Sequence, residues 1–352
     1  MLLTFKGIGL LILALGVFSI FSLKAPKGKE AMTGLAGTAI ATFLVEAIHN
    51  FISGDLLQIA FLKEVGLSSG SMSGAIAAIL VSLKMGVNPI FAVVAGAALS
   101  GVGIIPGFVA GYIVGFVAPL IEKKLPQGVE VIFGALMIAP LARFIAVMTA
   151  PVVNGTLLNI GNVIVNASEQ SPIVMGFLLG GMIKVICTSP LSSMALTAML
   201  GLQGPAMGIA CIASFGGAFA NGIVFKKLKL GDSSNVVAVM LEPLTQADIV
   251  TSNPVPIYLS NFLGGGLAGI SAVTFGIITN APGTASPIPG MLAPFAFNDP
   301  MKVIPALLFA AVGGSIGGLV GTMIYSYFNR KKEKNTIRKQ VILSGVFKTF
   351  LR

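Results

Sequence analysis

Apolar stretches of about 20 residues recur along the chain, each long enough to cross the hydrocarbon of a bilayer as one helix. The first, residues 2–23, is interrupted by Thr4 and Lys6. It is too long for a signal-peptide core and lacks a convincing small-residue cleavage site, so it reads as a helix kept in the chain. Further spans centre on residues 31–48, 66–83, 88–104, 107–121, 129–150, 172–187, 203–224, 255–279 and 302–327. The pattern predicts an all-α polytopic membrane protein with about ten transmembrane helices. Composition leaves little room for another class: 55% of the residues are hydrophobic, 10% are charged, and mean hydropathy is +0.96. A soluble domain carries about 25% charged residues, so a water-soluble globule is excluded.

The charges that remain are concentrated. Between residues 330 and 352, eight Lys and Arg against Glu333 leave a tail of net charge +7. Smaller clusters are Lys24, Lys27 and Lys29; Lys123 and Lys124; and Lys226, Lys227 and Lys229. Short basic loops mark the cytoplasmic side. The expected arrangement is a multi-pass plasma-membrane protein with a transmembrane domain over 1–330 and a basic cytoplasmic tail over 331–352. In that tail Ile342, Leu343, Val346, Phe347 and Phe350 fall at helical spacing among Arg338, Lys339 and Lys348, as in an amphipathic helix lying on membrane lipids. The overall charge of +10 is therefore a topology signal and not a nucleic-acid signal. Cys187 and Cys211 lie in or beside apolar runs without C-x-x-C spacing, which argues against a disulfide framework or a zinc site.

The parity of the spans requires an element between residues 172 and 224 that crosses only part of the membrane. Residues 188–194 (Thr-Ser-Pro-Leu-Ser-Ser-Met) fit a re-entrant or broken helix, because irregular backbone survives at membrane depth only where protein or water covers it. Residues 277–300 are apolar yet carry too many prolines for a regular helix, which suggests an ordered, partly buried hairpin lining a pathway. Asn88-Pro89, Gly204-Pro205 and Asp299-Pro300 each precede a run rich in small residues, a weak internal echo of the kind transporter folds contain. Gly313, Gly317 and Gly321 recur at four-residue spacing, which lets helix backbones approach closely in lipid.

Against this background polar side chains stand out. Glu46, His49, Asn50, Arg143, Lys184, Asn221, Glu242 and Asn261 all fall in or beside apolar runs, where lipid offers no hydrogen bonds. The densest group is residues 242–254, with Glu242, Gln246, Asp248 and Asn253. Together with Thr188, Ser189, Asn280 and Thr284 from the two irregular segments, these are the candidate substrate-binding residues. Carboxylates and amides suit a neutral polyhydroxylated solute, because a carboxylate accepts hydroxyl protons while an amide both gives and accepts. The plainer reading of Glu242, a solvated loop end after residues 226–229, is disfavoured by the cost of an intramembrane charge. For Glu46 and His49 the plainer reading, an interfacial helix end, is favoured. A single histidine and the absence of H-E-x-x-H or a Cys/His cluster argue against a metal. With no phosphate-binding Gly-rich loop and no nucleophile elbow, no cofactor and no catalytic machinery of the chain's own are expected, Glu242 being the one catalytic candidate.

Glu242-Pro243-Leu244, the hydroxyl- and Pro-rich stretch 188–193 and Asn-Ala-Pro-Gly-Thr-Ala-Ser-Pro-Ile-Pro-Gly at 280–290 resemble the membrane-embedded IIC component of phosphoenolpyruvate-dependent sugar phosphotransferase systems. The resemblance covers most of 1–330. It is nearest to stand-alone IIC-like proteins of Gram-positive bacteria, some of them described as toxin-gene regulators. It implies an elevator-type transporter fold, a homodimer, and a sugar or polyol held by Glu242. It also implies a separate IIB partner that phosphorylates the solute on the cytoplasmic side. The chain departs from the pattern in carrying no fused IIA or IIB segment and no membrane His near the matching motifs.

Three functions remain open on the sequence. One is a IIC-type sugar permease coupled to a IIB protein, which is the reading adopted. Another is an uncoupled or ion-coupled small-solute transporter on the same scaffold. The third is a membrane-embedded regulator of gene expression acting through the basic tail.

Overall fold

The computed structural model describes residues 2–126, 128–189 and 192–350. Side chains from residue 330 onward lie outside the described residues, and so does the expected amphipathic face of the tail. The helices in order are α1 (Leu2–Lys24), α2 (Gly28–Ala39), α3 (Ala60–Ser71), α4 (Ser73–Lys84), α5 (Pro89–Ala97), α6 (Ile104–Lys124), α7 (Glu130–Gln170) and α8 (Pro172–Thr188). They continue with α9 (Ser193–Met199), α10 (Gly204–Leu228), α11 (Ser233–Leu241), α12 (Ala247–Ser252), α13 (Pro254–Thr274), α14 (Pro287–Leu292) and α15 (Pro300–Phe350). α2 runs on through two π-helical stretches, Ile40–Leu44 and Ala47–Leu56, and short 3-10 turns occupy Pro243–Gln246 and Ala293–Ala296. No strand appears among the described residues.

Among the described residues, six helices are long and apolar enough to cross a membrane: Gly28–Leu56, Ile104–Lys124, Val131–Gln170, Gly204–Leu228, Pro254–Thr274 and Pro300–Asn329. The pair α3 and α4, bent by 56° at their junction, makes a seventh if taken as one span. The distance from the expected ten or so has local causes. The run 88–104 divides, because α5 stops at Ala97 and the chain turns through Gly101, in the left-handed region at φ +73, before α6 begins. The run 172–187 becomes α8, only 17 residues long. Residues 129–150 are part of a single helix of 41 residues, α7, which contains Pro140 and Pro151. At 1.5 Å per residue it measures about 60 Å, roughly twice the hydrocarbon thickness of a bilayer.

Turn chemistry starts the helices where the dipeptides predicted. Asn88 accepts from the Ile90 N–H, Asp299 accepts from the Met301 N–H, and Pro occupies the first turn of both helices and of α10. These side chains satisfy N–H groups that a helix end cannot pair internally. α8 ends at Thr188 and α9 begins at Ser193, while Pro190 and Leu191, at the centre of the expected break, lie outside the described residues. After α13 the backbone is irregular from residue 277 to 286 and largely buried.

Large apolar side chains point outward, as lipid permits. Leu136 and Phe144 of α7, and Leu308 and Phe309 of α15, are each more than half exposed. Alanines, glycines and small polar residues share the interior with buried Leu, Ile, Met and Phe side chains. α10 is central, with 83% of its apolar window buried, and α13 packs against α8, α10 and α15. Glycines set those separations. A Cβ on Gly317 would lie 2.3 Å from the Gly264 amide nitrogen of α13, and one on Gly314 only 1.8 Å from the Gly216 carbonyl oxygen of α10. Gly313, Gly317 and Gly321 all face α13, as their spacing predicts, and Gly314 and Gly318 face α10.

Candidate functional site

Glu242 stands at a break in the backbone. It closes α11 and opens the turn Pro243–Gln246 with an extended backbone (φ −145, ψ 94), because Pro243 has no N–H with which to continue the helix. α11 is itself fixed at its start by a reciprocal cap between Asp232 and Asn235. At the break the carboxylate folds back. Its Oε1 accepts from the Leu244 N–H at 3.4 Å and its Oε2 accepts from the Ser286 hydroxyl at 3.2 Å. Both bonds are long, which leaves a half-buried carboxylate able to accept more donors. Glu242 lies between the spans Gly204–Leu228 and Pro254–Thr274 and outside both. Burial pushes its carboxyl above the ordinary carboxylate range, opposed by the Leu244 N–H, the Ser286 hydroxyl and the Lys184 ammonium.

Ser286 reaches Glu242 on the irregular segment 277–286, which is anchored along its length. The Asn280 amide oxygen accepts from the Gly204 N–H at 3.0 Å, Thr284 Oγ1 lies 3.2 Å from Cys211 Sγ, and the Ser193 hydroxyl donates to the Ala285 carbonyl. Gly283 adopts φ +86, and a Cβ there would sit 3.2 Å from Phe43 and 3.3 Å from Ala198. Only glycine takes that conformation freely. Of the stretch 277–300 expected to be a non-helical hairpin, residues 277–286 form an irregular wall tied to α9 and α10, whereas Pro287 and Pro289 sit in the first turn of the short helix α14, where a missing N–H costs nothing.

Behind Glu242 runs a polar seam between α8, α10 and α13. Lys184 is fully buried. Its stem lies in a groove over Gly217 and Gly265, where a Cβ on either would come within 2.4 Å of it, and its ammonium donates to the Ser214 carbonyl at 3.3 Å. Lys184, Cys187 and Glu242 lie within electrostatic range of one another. The ion pair found among the described residues is elsewhere, Lys63–Asp55 at 2.6 Å on the surface. One turn beyond Lys184, Thr188 Oγ1 accepts from the Asn221 amide at 3.4 Å. The same amide donates to the Val239 carbonyl of α11 at 3.3 Å, and Asn261 of α13 donates to the Asn221 oxygen at 2.7 Å. Asn221 therefore ties the helix that ends in Glu242 to the central α10.

The residues expected from the sequence divide accordingly. Thr188 and Ser189 close α8, which packs on the turn after Glu242; Thr188 joins the seam, and the Ser189 hydroxyl donates to the Ile186 carbonyl at 2.8 Å. Thr284 is buried in the wall beside Ser286. Gln246 braces the site from outside, its oxygen accepting from Asn235 at 2.8 Å. Asp248 is exposed in the first turn of α12, Asn253 donates to the Ile249 carbonyl of its own turn at 3.1 Å, and Asn280 is exposed where it meets Gly204. Those last three are not brought beside the Glu242 carboxylate by any hydrogen bond. Ser286, Ser214, Lys184, Asn221 and Asn261 complete the site without having been among the expected binding residues. A stripe of small and polar residues at three- and four-residue spacing, Ser214, Gly217 and Asn221 on α10 and Asn261 and Gly265 on α13, is the signal that would have found the seam.

Among the described residues no group of three His, Cys, Asp or Glu is placed to hold a metal ion. No curated protein and no solved structure matches the chain. The family model for the phosphotransferase system EIIC component matches residues 29–341, nearly the whole length over which the helices and the Glu242 site are built. The chain belongs to the phosphotransferase system EIIC family.

Proposed function

We propose that the protein carries a sugar or polyol across the plasma membrane, that Glu242 holds the solute, and that a separate IIB protein phosphorylates it on the cytoplasmic side. The observation that carries this reading is the Glu242 carboxylate, half buried at a helix break and held by only two long hydrogen bonds. Such a group can accept solute hydroxyls, and the buried Lys184 and the amide seam behind it supply dipoles and hydrogen-bonding groups at fixed positions. The phosphoryl donor belongs to the partner, and this chain's part is to position the accepting hydroxyl. Family membership from residue 29 to 341 supports the assignment to a permease component. We take the wall 277–286 and the broken helices around it as parts of an elevator-type carrier, with the basic C-terminal tail in the cytoplasm and two chains forming a dimer.

The test is uptake of radiolabelled sugars into vesicles containing the full chain, with and without the cytosolic phosphotransfer proteins. Accumulation of phosphorylated sugar only when those proteins are present is the expected result. Transport indifferent to them refutes the coupling. One observation favours the ion-coupled alternative, namely that burial raises the Glu242 carboxyl above the ordinary carboxylate range. Uptake driven by an imposed proton gradient and abolished in Glu242→Gln would select that mechanism.

A further inference from the structure

A cavity of about 420 Å³ is lined in part by the wall segment 277–286, and Glu242 is not among its lining residues. Its lining includes Phe43, Glu46 and Phe51 from the helical segment after α2, Ser73 from α4, the first turn of α6, and Pro282 from the wall itself. Pro282 lies four residues before Ser286, the residue bonded to Glu242. At roughly 30 Å³ per water, the space equals on the order of a dozen waters, enough for a small solute.

The chemistry of the lining is selective. Glu46 makes no hydrogen bond and no ion pair among the described residues, and its carboxylate rests against Gly70 of α3, where a Cβ would collide with both of its oxygens. Two π-helical stretches flank it, Ile40–Leu44 and Ala47–Leu56, and irregular turns of that kind occur frequently at functional sites. Opposite, α6 begins at Ile104 after Gly103, which offers no capping side chain. The N–H groups of Ile104 and Ile105 therefore have no partner inside the helix, and Pro106 has no N–H at all. The first intrahelical bond is made by Gly107, to the Gly103 carbonyl at 3.1 Å.

These groups suit a ligand that both gives and accepts hydrogen bonds. The Glu46 carboxylate repels an anion, and the positive end of the α6 dipole, equivalent to about half a charge, offsets part of its attraction for a cation. A neutral hydroxylated molecule satisfies both, giving protons to Glu46 and accepting from Ile104 and Ile105. The rings of Phe43 and Phe51 offer apolar faces to its C–H side. We propose that this cavity binds a neutral polyhydroxylated solute at Glu46, a site distinct from Glu242. Its place as an additional station on one transport route rests on the function proposed above; the binding itself does not.

The chain contains no tryptophan, so a single introduced one reports on its own surroundings. Phe51→Trp, or Phe43→Trp should the first variant fail to fold, is made in the full chain and purified into lipid nanodiscs. D-glucose, D-mannitol and D-cellobiose are titrated while its emission is followed, with tetramethylammonium and inorganic phosphate as charged probes. A saturable response to at least one neutral probe is expected. Glu46→Gln, which removes the charge, and Gly70→Ala, which displaces the carboxylate, should each weaken it about tenfold or more. Glu242→Gln should leave it unchanged. Silence toward all three neutral probes, a response confined to a charged probe, or a response indifferent to Glu46→Gln overturns the inference. So does a response lost in Glu242→Gln, because the reporter would then be reading the other site. Loss of coupled uptake with the cavity response intact overturns only the transport reading.

Discussion

Replacing Asn221 with Ala tests whether the buried amide seam fixes the helix that carries Glu242. Asn221 takes part in three hydrogen bonds, of which only the one from Asn261, at 2.7 Å, has ordinary length; those to Thr188 and Val239 are 3.4 and 3.3 Å. The substitution removes all three and leaves the Asn261 amide without its acceptor. The Asn261 oxygen already lacks a partner. A hydrogen bond between membrane helices is worth about 0.6–2 kcal/mol, because the unfolded chain in lipid also finds partners. With one strong bond and two weak ones, the single variant should lose about 1–3 kcal/mol. Asn261→Ala should lose less, about 1 kcal/mol, since it breaks only the bond to Asn221. The double variant should cost clearly less than the sum, with a coupling of about 0.5–2 kcal/mol, because no orphaned amide remains. Equilibrium unfolding of the purified chain in mixed micelles measures all four corners of the cycle. Solute binding by the same samples should fall more in Asn221→Ala than in Asn261→Ala, because only Asn221 reaches α11. Strict additivity, or equal binding by the two single variants, would refute the argument that the seam positions Glu242.

Three further outcomes are expected. Solute binding should strengthen as pH rises through a transition displaced upward from the ordinary carboxylate range, because burial raises the Glu242 carboxyl and the charged form is the better acceptor. Folding stability should move the opposite way, since a raised folded-state pKa stabilises at low pH and that contribution is lost as pH passes the folded value; Glu242→Gln should flatten both profiles, read by titration calorimetry and thermal unfolding. Lys184→Met keeps an apolar stem over Gly217 and Gly265 while removing the charge, so the melting temperature should hold or rise as solute affinity falls by about tenfold or more. Gly314→Ala should destabilise by about 1–3 kcal/mol, because its Cβ would meet the Gly216 carbonyl at 1.8 Å, whereas Gly155→Ala, in open space on α7, should be neutral or mildly stabilising in the same unfolding assay.

What could be read in the sequence was whatever depends on local chemistry. Asn88-Pro89 and Asp299-Pro300 start helices because a short polar side chain and a ring-fixed φ act within one turn. Glu242-Pro243 breaks a helix for the same kind of reason, and Gly313, Gly317 and Gly321 face one neighbour because a four-residue step keeps one side of a helix. The run 88–104 misled because Ala and Gly keep hydropathy high through a turn, so length alone could not reveal that α5 stops at Ala97. Ser286 and Lys184 were illegible for a different reason. Ser286 meets Glu242 across 44 residues of chain, and Lys184 differs from a snorkelling lysine only in that Gly217 and Gly265 lie over its stem. Glu46 reads in the sequence as an interfacial helix end, and nothing nearby in sequence announces the cavity that α4, α6 and α7 line with it.

The long helix α7 has a mechanical consequence. Pro140 and Pro151 are eleven residues apart, about three turns, so both fall on one side of the helix, and both are exposed. Each proline deletes one backbone hydrogen bond and crowds the carbonyl a turn earlier, so each softens the rod toward bending away from its own side. Set in register, the two soft points share a plane. α7 is thus compliant in one direction, inward toward the helices it covers, and stiff in the others. Over its length of about 60 Å, a flexure of about 5° shifts one end by about 5 Å relative to the other.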